Sequence, residues 1–397
     1  MKRTRRIARI ERESMERDME NLQDRLSDLP DCVLHNIMKF MNAKHVVQTC
    51  VLSKRWKNLW KSSLNLTFDS SDFLWVPVFN NFVSRVLSCR DNSMSIHSLD
   101  FRRKGCIGPK ILHEIMTYAA SHDVQQFTIN VNLVLKQDFM LPSCIYNCPS
   151  LKSLKLYFWF PYAFATHIKL PTSFNLPTLE TMYIKHVTFS ENENGCVEPF
   201  SSCNMLNTLV IDHCYLLNAT KPIHISNSKL SNLTIRSFRG DGVTYEIALS
   251  TPNLSEVTIQ GFPDHKLSSM CNVPNLEKVK IEVTWYESFP TNHVVLISML
   301  QVFAKVKILT LSWKTIKTLN DLLSTSSFRT QLPAFVRLRT LKLKMKSFST
   351  MSNMAVREMV EYLLHNSPAT NVDVLKCYSS LSLDYICEYI SSHVVLH

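Results

Sequence analysis

The segments LKSLKL at residues 151–156 and LRTLKL at residues 338–343 share one spacing of apolar residues, at the first, fourth and sixth positions. The same spacing occurs ten times between residues 96 and 343, at intervals of 22 to 32 residues. The copies begin at Ile96, Val124, Leu151, Leu179, Leu206, Leu230, Leu254, Leu276, Val306 and Leu338. Repetition at such a period is the signature of an array of small structural units.

The residues between these apolar positions complete the pattern. The third, fifth and seventh residues of the copies are largely polar, and only Val210 and Ile308 among them are aliphatic. Since successive side chains of a strand point to opposite faces, each copy predicts a short strand with one buried and one solvent-exposed face. Period and pattern are typical of leucine-rich repeats stacked as a parallel sheet in a solenoid. The alternative is an ordinary parallel α/β domain, whose crossover helices usually demand longer periods.

The polar positions predict a surface that could receive a partner. The residues expected to line it are Tyr157, Tyr183, Lys185, Asp212, Arg236, Lys278, Lys280, Glu282, Lys342 and Lys344. Tyrosine and arginine are common anchors of protein interfaces, and the surplus of basic residues favours an acidic or phosphorylated target protein. The alternative is a solvated sheet face without a dedicated ligand.

A second signal lies in residues 24–60, which read DRLSDLPDCVLHNIMKFMNAKHVVQTCVLSKRWKNLW. Asp28 can cap a helix, Pro30 suits its first turn, and Ser53 is expected to start a third helix. Apolar residues recur at helical spacing in three groups, namely Val33, Leu34, Ile37, Phe40 and Met41, then Val46, Val47, Cys50 and Val51, then Trp56, Leu59 and Trp60. Three such helices have more apolar surface than they can bury in one another, which predicts either a partner surface or a cap on the solenoid.

This block resembles the F-box of plant F-box proteins. It has the LPD start at residues 29–31, the V-L-x-x-I core at residues 33–37 and the V-L-S-K-R-W-x-x-L-W ending at residues 51–60. With the repeats and a final region loosely like an FBD-type ending, nearly the whole chain resembles the plant F-box/LRR-repeat family. The expected fold class is α+β, a small three-helix F-box followed by an α/β leucine-rich-repeat solenoid with parallel strands.

The resemblance implies a substrate-recognition subunit of an SCF-type ubiquitin ligase. In that family the F-box binds a Skp-type adaptor, through it a cullin, and the repeats hold an unidentified target protein. The matching adaptor-binding residues are Leu29, Pro30, Val33, Leu34, Ile37, Val51, Leu52 and Trp56. The sequence leaves open whether Trp56 and Ile37 touch the adaptor or hold the helices together. The alternative function is a repeat scaffold for protein interactions without ligase association.

The chain changes character after the last repeat. NMAVREMVEYLLHNSP at residues 353–368 predicts a closing helix, and VDVLKCY at residues 372–378 predicts a strand that shields the open end of the sheet. The expected domains are a basic tail at 1–23, the F-box at 24–61, a linker leading to the solenoid at 62–94, the repeats at 95–346 and an FBD-like cap at 347–397.

Composition argues against catalysis, metals and cofactors. Only six glycines occur, without the spacing of a dinucleotide loop, a Walker loop or a nucleophile elbow, and neither H-E-x-x-H nor C-x-x-C is present. The first 17 residues hold seven basic and three acidic side chains, which fits a targeting, nucleic-acid-binding or merely solvated tail, whereas the rest is only mildly basic. The longest apolar stretch, at 294–300, is too short to cross a bilayer. We expect a non-catalytic protein of the nucleus or cytoplasm that binds neither nucleic acid nor membrane and needs no cofactor.

Overall fold

The computed structural model describes residue 26 and residues 28–133, 138–159, 168–191, 196–216, 222–237, 245–261, 265–283, 291–324, 330–346, 353–365 and 370–377. The chain forms two compact units, Met1–Asp100 and Phe101–His397. The predicted basic tail at residues 1–23 lies outside the described residues, as do residues 378–397 of the expected cap.

The secondary structure of the described residues alternates helices with many short strands. The helices are α1 Asp31–Met38, α2 Ala43–Gln48, α3 Trp56–Leu59, α4 Val76–Cys89, α5 Pro109–Ser121, α6 Thr291–Val302, α7 Trp313–Leu323 and α8 Asn353–Leu363. Short 3-10 helices lie at Thr49–Val51, Trp60–Ser62, Ser70–Asp72 and Ser143–Asn147. The strands are β1 Asn65–Asp69, β2 Ser98–Ile107, β3 Gln126–Leu133, β4 Phe139–Met140, β5 Ser153–Trp159, β6 Ile168–Lys169, β7 Thr181–Lys185, β8 Thr188–Phe189, β9 Thr208–Asp212, β10 Tyr215–Leu216, β11 Ile223–Ser226, β12 Asn232–Ser237, β13 Tyr245–Ser250, β14 Glu256–Gly261, β15 His265–Leu267, β16 Lys278–Val283, β17 Ile308–Ser312, β18 Thr340–Lys346 and β19 Asn371–Cys377.

The main sheet of the second unit is built from the repeats. Its strand order is β2-β3-β5-β7-β9-β12-β14-β16-β17-β18-β19, and neighbouring strands from β3 onward are parallel. Each of the ten predicted copies contributes one strand of this sheet. The predicted solenoid of parallel strands is therefore confirmed.

The apolar positions of the repeats face the core. The first, fourth and sixth residues of every copy are buried, with exposures from 0% to 7%. In β5, for example, Leu154, Leu156 and Phe158 have no exposed surface, whereas Lys155 and Tyr157 between them are half-buried. Burying one such side chain contributes about 1.5–3 kcal/mol to stability. Stacking of the copies therefore stabilises strands that would not be stable in a single copy.

The connections between the main strands form two smaller parallel sheets that the sequence pattern did not predict. One has the order β10-β8-β6-β4 and the other the order β11-β13-β15. Their strands are only two to six residues long, too short for a detectable alternation of apolar and polar residues.

The predicted closing helix and last strand are both present. Helix α8 buries Met359 and Leu363, and its expected end at Asn366 and Pro368 lies outside the described residues. Strand β19 pairs in parallel with β18 over its whole length, from Asn371 opposite Thr340 to Cys377 opposite Lys346. The domain boundaries expected from the sequence stay predictions.

The first unit has a small apolar core of its own. Helices α1, α2 and α3 contribute Leu34, Met38, Val46, Trp56 and Leu59, against which Leu29, Met41 and Trp60 are partly buried. The predicted three-helix arrangement at residues 24–60 is thus present, although two helix starts differ from expectation.

Pro30, not Asp28, is the N-cap residue of α1, and no side chain caps this end. The carbonyl of Pro30 already accepts the amides of Val33 and Leu34 at 2.9 and 3.2 Å, which makes it the last residue before the helix. The third helix begins at Trp56 rather than at Ser53, because the preceding chain closes a 3-10 turn in which the Leu52 amide donates to the Thr49 carbonyl at 3.0 Å.

The segment expected as a linker, residues 62–94, contains β1 and the 14-residue helix α4. Arg90, next to the end of α4, is 4% exposed. Its guanidinium donates to the carbonyls of Ser63, Asp91, Met94 and Ser95, at 2.7 to 3.3 Å. This buried side chain ties the end of α4 to the chain that leads into β1.

Candidate functional site

An apolar stripe is exposed on α1. Val33 and Ile37, one helical turn apart, are 38% and 39% exposed, and the exposed Pro30 precedes them. Leu34 and Met38 have no exposed surface. Because consecutive helical residues differ by about 100° around the axis, α1 presents one apolar side to the core and a second to solvent.

Burial separates the predicted adaptor-binding residues into two groups. Leu34 and Trp56, 0% and 3% exposed, belong to the core, and Leu29 packs against it. Val51 and Leu52 are 83% and 54% exposed, like the stripe of α1. Only the exposed group can touch a partner directly, whereas the core group supports the helices that carry it.

Phe40 is an exposed member of this surface that the predicted set of adaptor-binding residues omits. It is 87% exposed and lies just beyond α1, where its amide donates to the Ile37 carbonyl at 3.2 Å. Helical spacing groups Phe40 with the apolar residues of α1, and only the end of this helix at Met38 reveals its exposure.

Polar contacts align the helices that carry the stripe. Arg55 Nη2 donates to Asp31 Oδ1 at 2.5 Å, and His35 Nε2 lies 2.9 Å from Ser62 Oγ. Because the Arg55–Asp31 pair is exposed, its contribution to stability is only about 0–1 kcal/mol. These contacts therefore orient the start of α1 against the segment around α3 rather than stabilise the unit strongly.

The second candidate surface is formed by the third, fifth and seventh residues of the repeats, which we call the open face. Its seventh-position residues lie in cross-strand register in the order Tyr157, Lys185, Asp212, Arg236, Gln260 and Glu282. Arg236 Nε donates to Gln260 Oε1, and Gln260 Nε2 donates to Glu282 Oε2, both at 2.8 Å. A chain of polar side chains therefore crosses the sheet from β7 to β16.

Asp212 anchors one end of this polar chain. It is 3% exposed and accepts hydrogen bonds from the Tyr183 hydroxyl and from His213 Nδ1, while Lys185 Nζ lies 3.9 Å from its Oδ2. Burial alone would raise the pKa of Asp212, but the hydrogen bond and charge of His213, followed by the charge of Lys185, lower it to about 2. Burial and the neighbouring carboxylate raise the pKa of Tyr183. Asp212 is thus ionised and Tyr183 protonated at neutral pH.

Two histidines flank this carboxylate in left-handed backbone conformations. His186 and His213 follow β7 and β9 with φ of 55° and 52°. The His186 amide donates to the Asp212 carbonyl at 3.0 Å, and its Nδ1 donates to the Phe158 carbonyl at 2.5 Å. Burial, followed by repulsion from His213, lowers the pKa of His186 to about 3, so its ring is neutral near pH 7.

Lys185 is buried beneath an aromatic ring. It is 5% exposed, and its Nζ lies 3.6 Å from the centroid of the Trp159 ring. This cation–π contact and the Asp212 carboxylate compensate for removing the ammonium group from water. Lys185 therefore serves the sheet itself and offers little surface to a target.

Glu282 anchors the other end of the polar chain. Lys344 Nζ lies 2.6 Å from its Oε1, and Lys280 Nζ lies 2.9 Å from its Oε2. Burial would raise the pKa of Glu282, but the hydrogen bonds from Lys344, Lys280 and Gln260 lower it. One carboxylate thus balances part of the charge of two lysines.

The predicted target-binding residues lie together on the open face but differ in exposure. Lys185 and Asp212 are buried, Lys278 is exposed, and the half-buried ones are Tyr157, Tyr183, Arg236, Lys280, Lys342 and Lys344. Lys278 lies opposite Glu256, and Lys342 lies opposite Asp373. The basic surplus inferred from the sequence is therefore locally balanced, and target binding at this face stays a prediction.

Within the described ranges, no group of three or more His, Cys, Asp and Glu side chains is arranged to hold a metal ion. None of the described helices has the length and apolar character that crossing a bilayer requires.

Comparison with known sequences gives two matches to protein families. Residues 26–68 match the F-box domain, which includes α1, α2 and α3. Residues 112–326, more than half of the chain, match the LRR repeats of "FBD-associated F-box protein At5g56370".

Curated plant proteins are similar to the chain. Three relatives from Arabidopsis thaliana are F-box/LRR-repeat protein At4g14103, F-box/LRR-repeat protein At3g26922 and putative F-box/FBD/LRR-repeat protein At4g13965, which are 29%, 29% and 30% identical over 247, 266 and 266 residues. The alignments cover 60%, 65% and 66% of this chain, and 62%, 82% and 58% of the relatives. The chain thus matches about three fifths of the length of the first and third of them.

Proposed function

Because the chain belongs to the F-box/LRR-repeat family, we propose that it is the substrate-recognition subunit of an SCF-type ubiquitin ligase. F-box domains generally bind Skp-type adaptors, and proteins of this family are typically non-catalytic. In the proposed complex the first unit docks on the adaptor, which joins it to a cullin. The repeats bind the protein that is to be ubiquitinated, and the chemistry takes place on other subunits.

The exposed apolar stripe of α1 carries this proposal. Val33 and Ile37 remain more than one-third exposed although Leu34 and Met38, on the same short helix, fill a closed core. Covering such side chains with a partner is favourable by about 25 cal/mol per Å² of apolar surface removed from water. Contiguous apolar surface of this kind marks interaction sites on soluble proteins.

The open face is the proposed target site. It carries ordered aromatic and charged side chains, among them the Tyr157 and Tyr183 rings, whose centroids are 4.3 Å apart. Because Asp212 and Glu282 already balance Lys185, Lys280 and Lys344, we expect target recognition to depend on shape and aromatic contacts together with charge.

Co-purification of a Skp-type adaptor and cullin with the full chain tests the proposal. The double variant Val33→Asp, Ile37→Asp places charges in the stripe without touching the core, and we expect it to lose the adaptor. The matched control Val336→Asp changes a valine of the second unit that is 62% exposed, and it should retain the adaptor. Circular dichroism checks that each variant is folded.

Either of two results would contradict the proposal. Adaptor retained by the double variant would show that the stripe is not the docking surface. An adaptor that fails to bind the unmodified chain would favour the alternative, a repeat scaffold without ligase association.

The compartment is part of the same proposal. The basic tail at residues 1–23 supports action in the nucleus or the cytoplasm. Fluorescent fusions with and without these residues test it, and accumulation in a secretory compartment would contradict it.

A further inference from the structure

A further exposed apolar surface lies at the edge of the F-box match in the first unit. Leu74, Trp75 and Val78 are 95%, 71% and 54% exposed, and Phe40 is 87% exposed. We call these four residues the Trp75 patch. Apart from Phe40 they lie beyond residues 26–68, which match the F-box domain.

The backbone of the Trp75 patch is held in place. The ring of Phe73 packs against those of Phe79 and Phe82, with centroids 5.4 and 5.1 Å apart, and Phe79 is fully buried. Trp75 is the N-cap residue of α4, and its carbonyl accepts the Phe79 amide at 3.2 Å. The backbone of such an anchored segment loses little conformational freedom on binding, which lowers the entropic cost of using its exposed side chains in an interface.

Hydrogen bonds join the two segments that carry the Trp75 patch, and Phe40, whose amide donates to the Ile37 carbonyl, connects the patch to the stripe of α1. Asn42 Nδ2 donates to Asp72 Oδ2 at 2.7 Å, and Lys44 Nζ donates to the Asp72 carbonyl at 2.6 Å. Phe40 lies two residues before Asn42, and Leu74 lies two residues after Asp72. Each of these steps spans at most about 7 Å of chain, so one partner surface can cover Phe40 and Leu74 together.

The charges beside these apolar residues indicate the chemistry of the partner. The exposed Lys39 directly precedes Phe40, and Lys44 Nζ lies 4.9 Å from the centroid of the Phe73 ring, next to Leu74 in the chain. A complementary surface is therefore apolar at its centre and acidic at its rim.

We propose that the Skp-type adaptor extends beyond the F-box and covers the Trp75 patch, with Leu74 and Trp75 as additional anchors. The inference rests on the proposed docking of the adaptor on α1, with which the patch is continuous. Tryptophan is among the residues that most often carry binding energy at protein interfaces.

Titration of purified adaptor into the full chain tests the extension. The double variant Leu74→Ser, Trp75→Ala is expected to raise the dissociation constant by about tenfold or more. The variant Trp75→Phe, which keeps an aromatic ring, should have a dissociation constant within about threefold of that of the unmodified chain. The control Met270→Ala removes a side chain of the second unit that is also 71% exposed, and it should leave the affinity unchanged. Thermal unfolding compares the stability of the variants, and Val78→Asp provides a second, independent change in the patch.

The outcomes separate this inference from the proposed function. Unchanged affinity of the Leu74→Ser, Trp75→Ala and Val78→Asp variants, together with loss of binding in Val33→Asp, Ile37→Asp, would overturn the extension and leave docking on the F-box intact. No binding by the unmodified chain would overturn both. A selective loss in the patch variants, with the control unaffected, supports the extension.

Discussion

Val33 and Leu34 are neighbours in the chain, yet Leu34 has no exposed surface whereas 38% of Val33 is exposed. The two side chains point about 100° apart around α1, one into the core and one to solvent. Two apolar residues in one motif thus have different roles, since Leu34 stabilises the first unit and Val33 is available to a partner.

Substitution of these two residues should separate stability from binding. We expect Leu34→Ala to lower the free energy of unfolding of the first unit by about 2–5 kcal/mol, because it leaves a cavity in a small core. Val33→Ala, at a partly exposed site, should lower the free energy of unfolding by less than about 1 kcal/mol. Native-state hydrogen exchange of the amides of α1 to α3 measures both, and equal losses would contradict the assignment.

Arg90 should stabilise the first unit because it is buried and its guanidinium binds four carbonyls. Arg90→Met leaves the four carbonyls that it binds without their charged donor, so we expect a loss of at least about 2 kcal/mol in the free energy of unfolding. Arg85→Met, at an exposed position of the adjoining helix α4, is the matched control and should change stability by less than about 0.5 kcal/mol. Hydrogen exchange of α4 reports the difference, and similar exchange in the two variants would refute a structural role for Arg90.

His186 should make the stability of the second unit depend on pH. Its pKa is about 3 in the folded chain against an ordinary 6.5, so between these values the unfolded chain binds a proton that the folded chain does not. Stability therefore falls as the pH falls from about 6.5 towards 3, by about 1.4 kcal/mol per pH unit and by up to about 5 kcal/mol over the whole interval. His186→Asn tolerates the left-handed backbone and does not titrate, so it should flatten this dependence.

The midpoint of thermal unfolding of the second unit, measured at intervals from pH 7 to pH 4, tests the His186 prediction. The unmodified chain should lose more stability over this range than the His186→Asn variant. Parallel curves for the two proteins would show that His186 does not titrate on unfolding.

Asp212 should stabilise the open face through its charge. The pKa of Asp212 is lowered to about 2 from 3.8, so its contribution is present above pH 3.8 and is lost as the pH falls through about 2. At pH 7, Asp212→Asn leaves Lys185 buried without this carboxylate, and we expect the free energy of unfolding of the second unit to fall by about 3–5 kcal/mol. Glu256→Gln, an exposed change on the same face, serves as the control in chemical denaturation. Comparable effects of both changes would argue against the Asp212 network.

The repeat pattern predicted the large features of the fold because burial in a parallel sheet imposes a strict period. Every apolar position from Ile96 to Leu343 that the pattern marked is buried. The strands on the connections, namely β4, β6, β8, β10, β11, β13 and β15, escaped prediction, because segments of two to six residues such as Phe139–Met140 show no detectable period.

The candidate sites were predicted only in part, for physical reasons. Helical spacing groups Leu34 with Val33 and Ile37, and only the packing of three helices decides which of them is covered. The pairing of Lys185 with Asp212 joins residues 27 positions apart in sequence, so a count of basic residues overestimated the free positive charge of the open face. Phe40 was grouped with the helical face, but α1 ends at Met38 and leaves it exposed.

The dissociation constant of purified Skp-type adaptor from the full chain, measured by isothermal titration calorimetry, tests the central claim most directly. We expect a one-to-one complex with a dissociation constant of about 1 μM or lower. In the double variant Val33→Asp, Ile37→Asp this dissociation constant should rise by about a hundredfold or more. Absence of binding by the unmodified chain, or equal affinity of the folded double variant, would contradict the account.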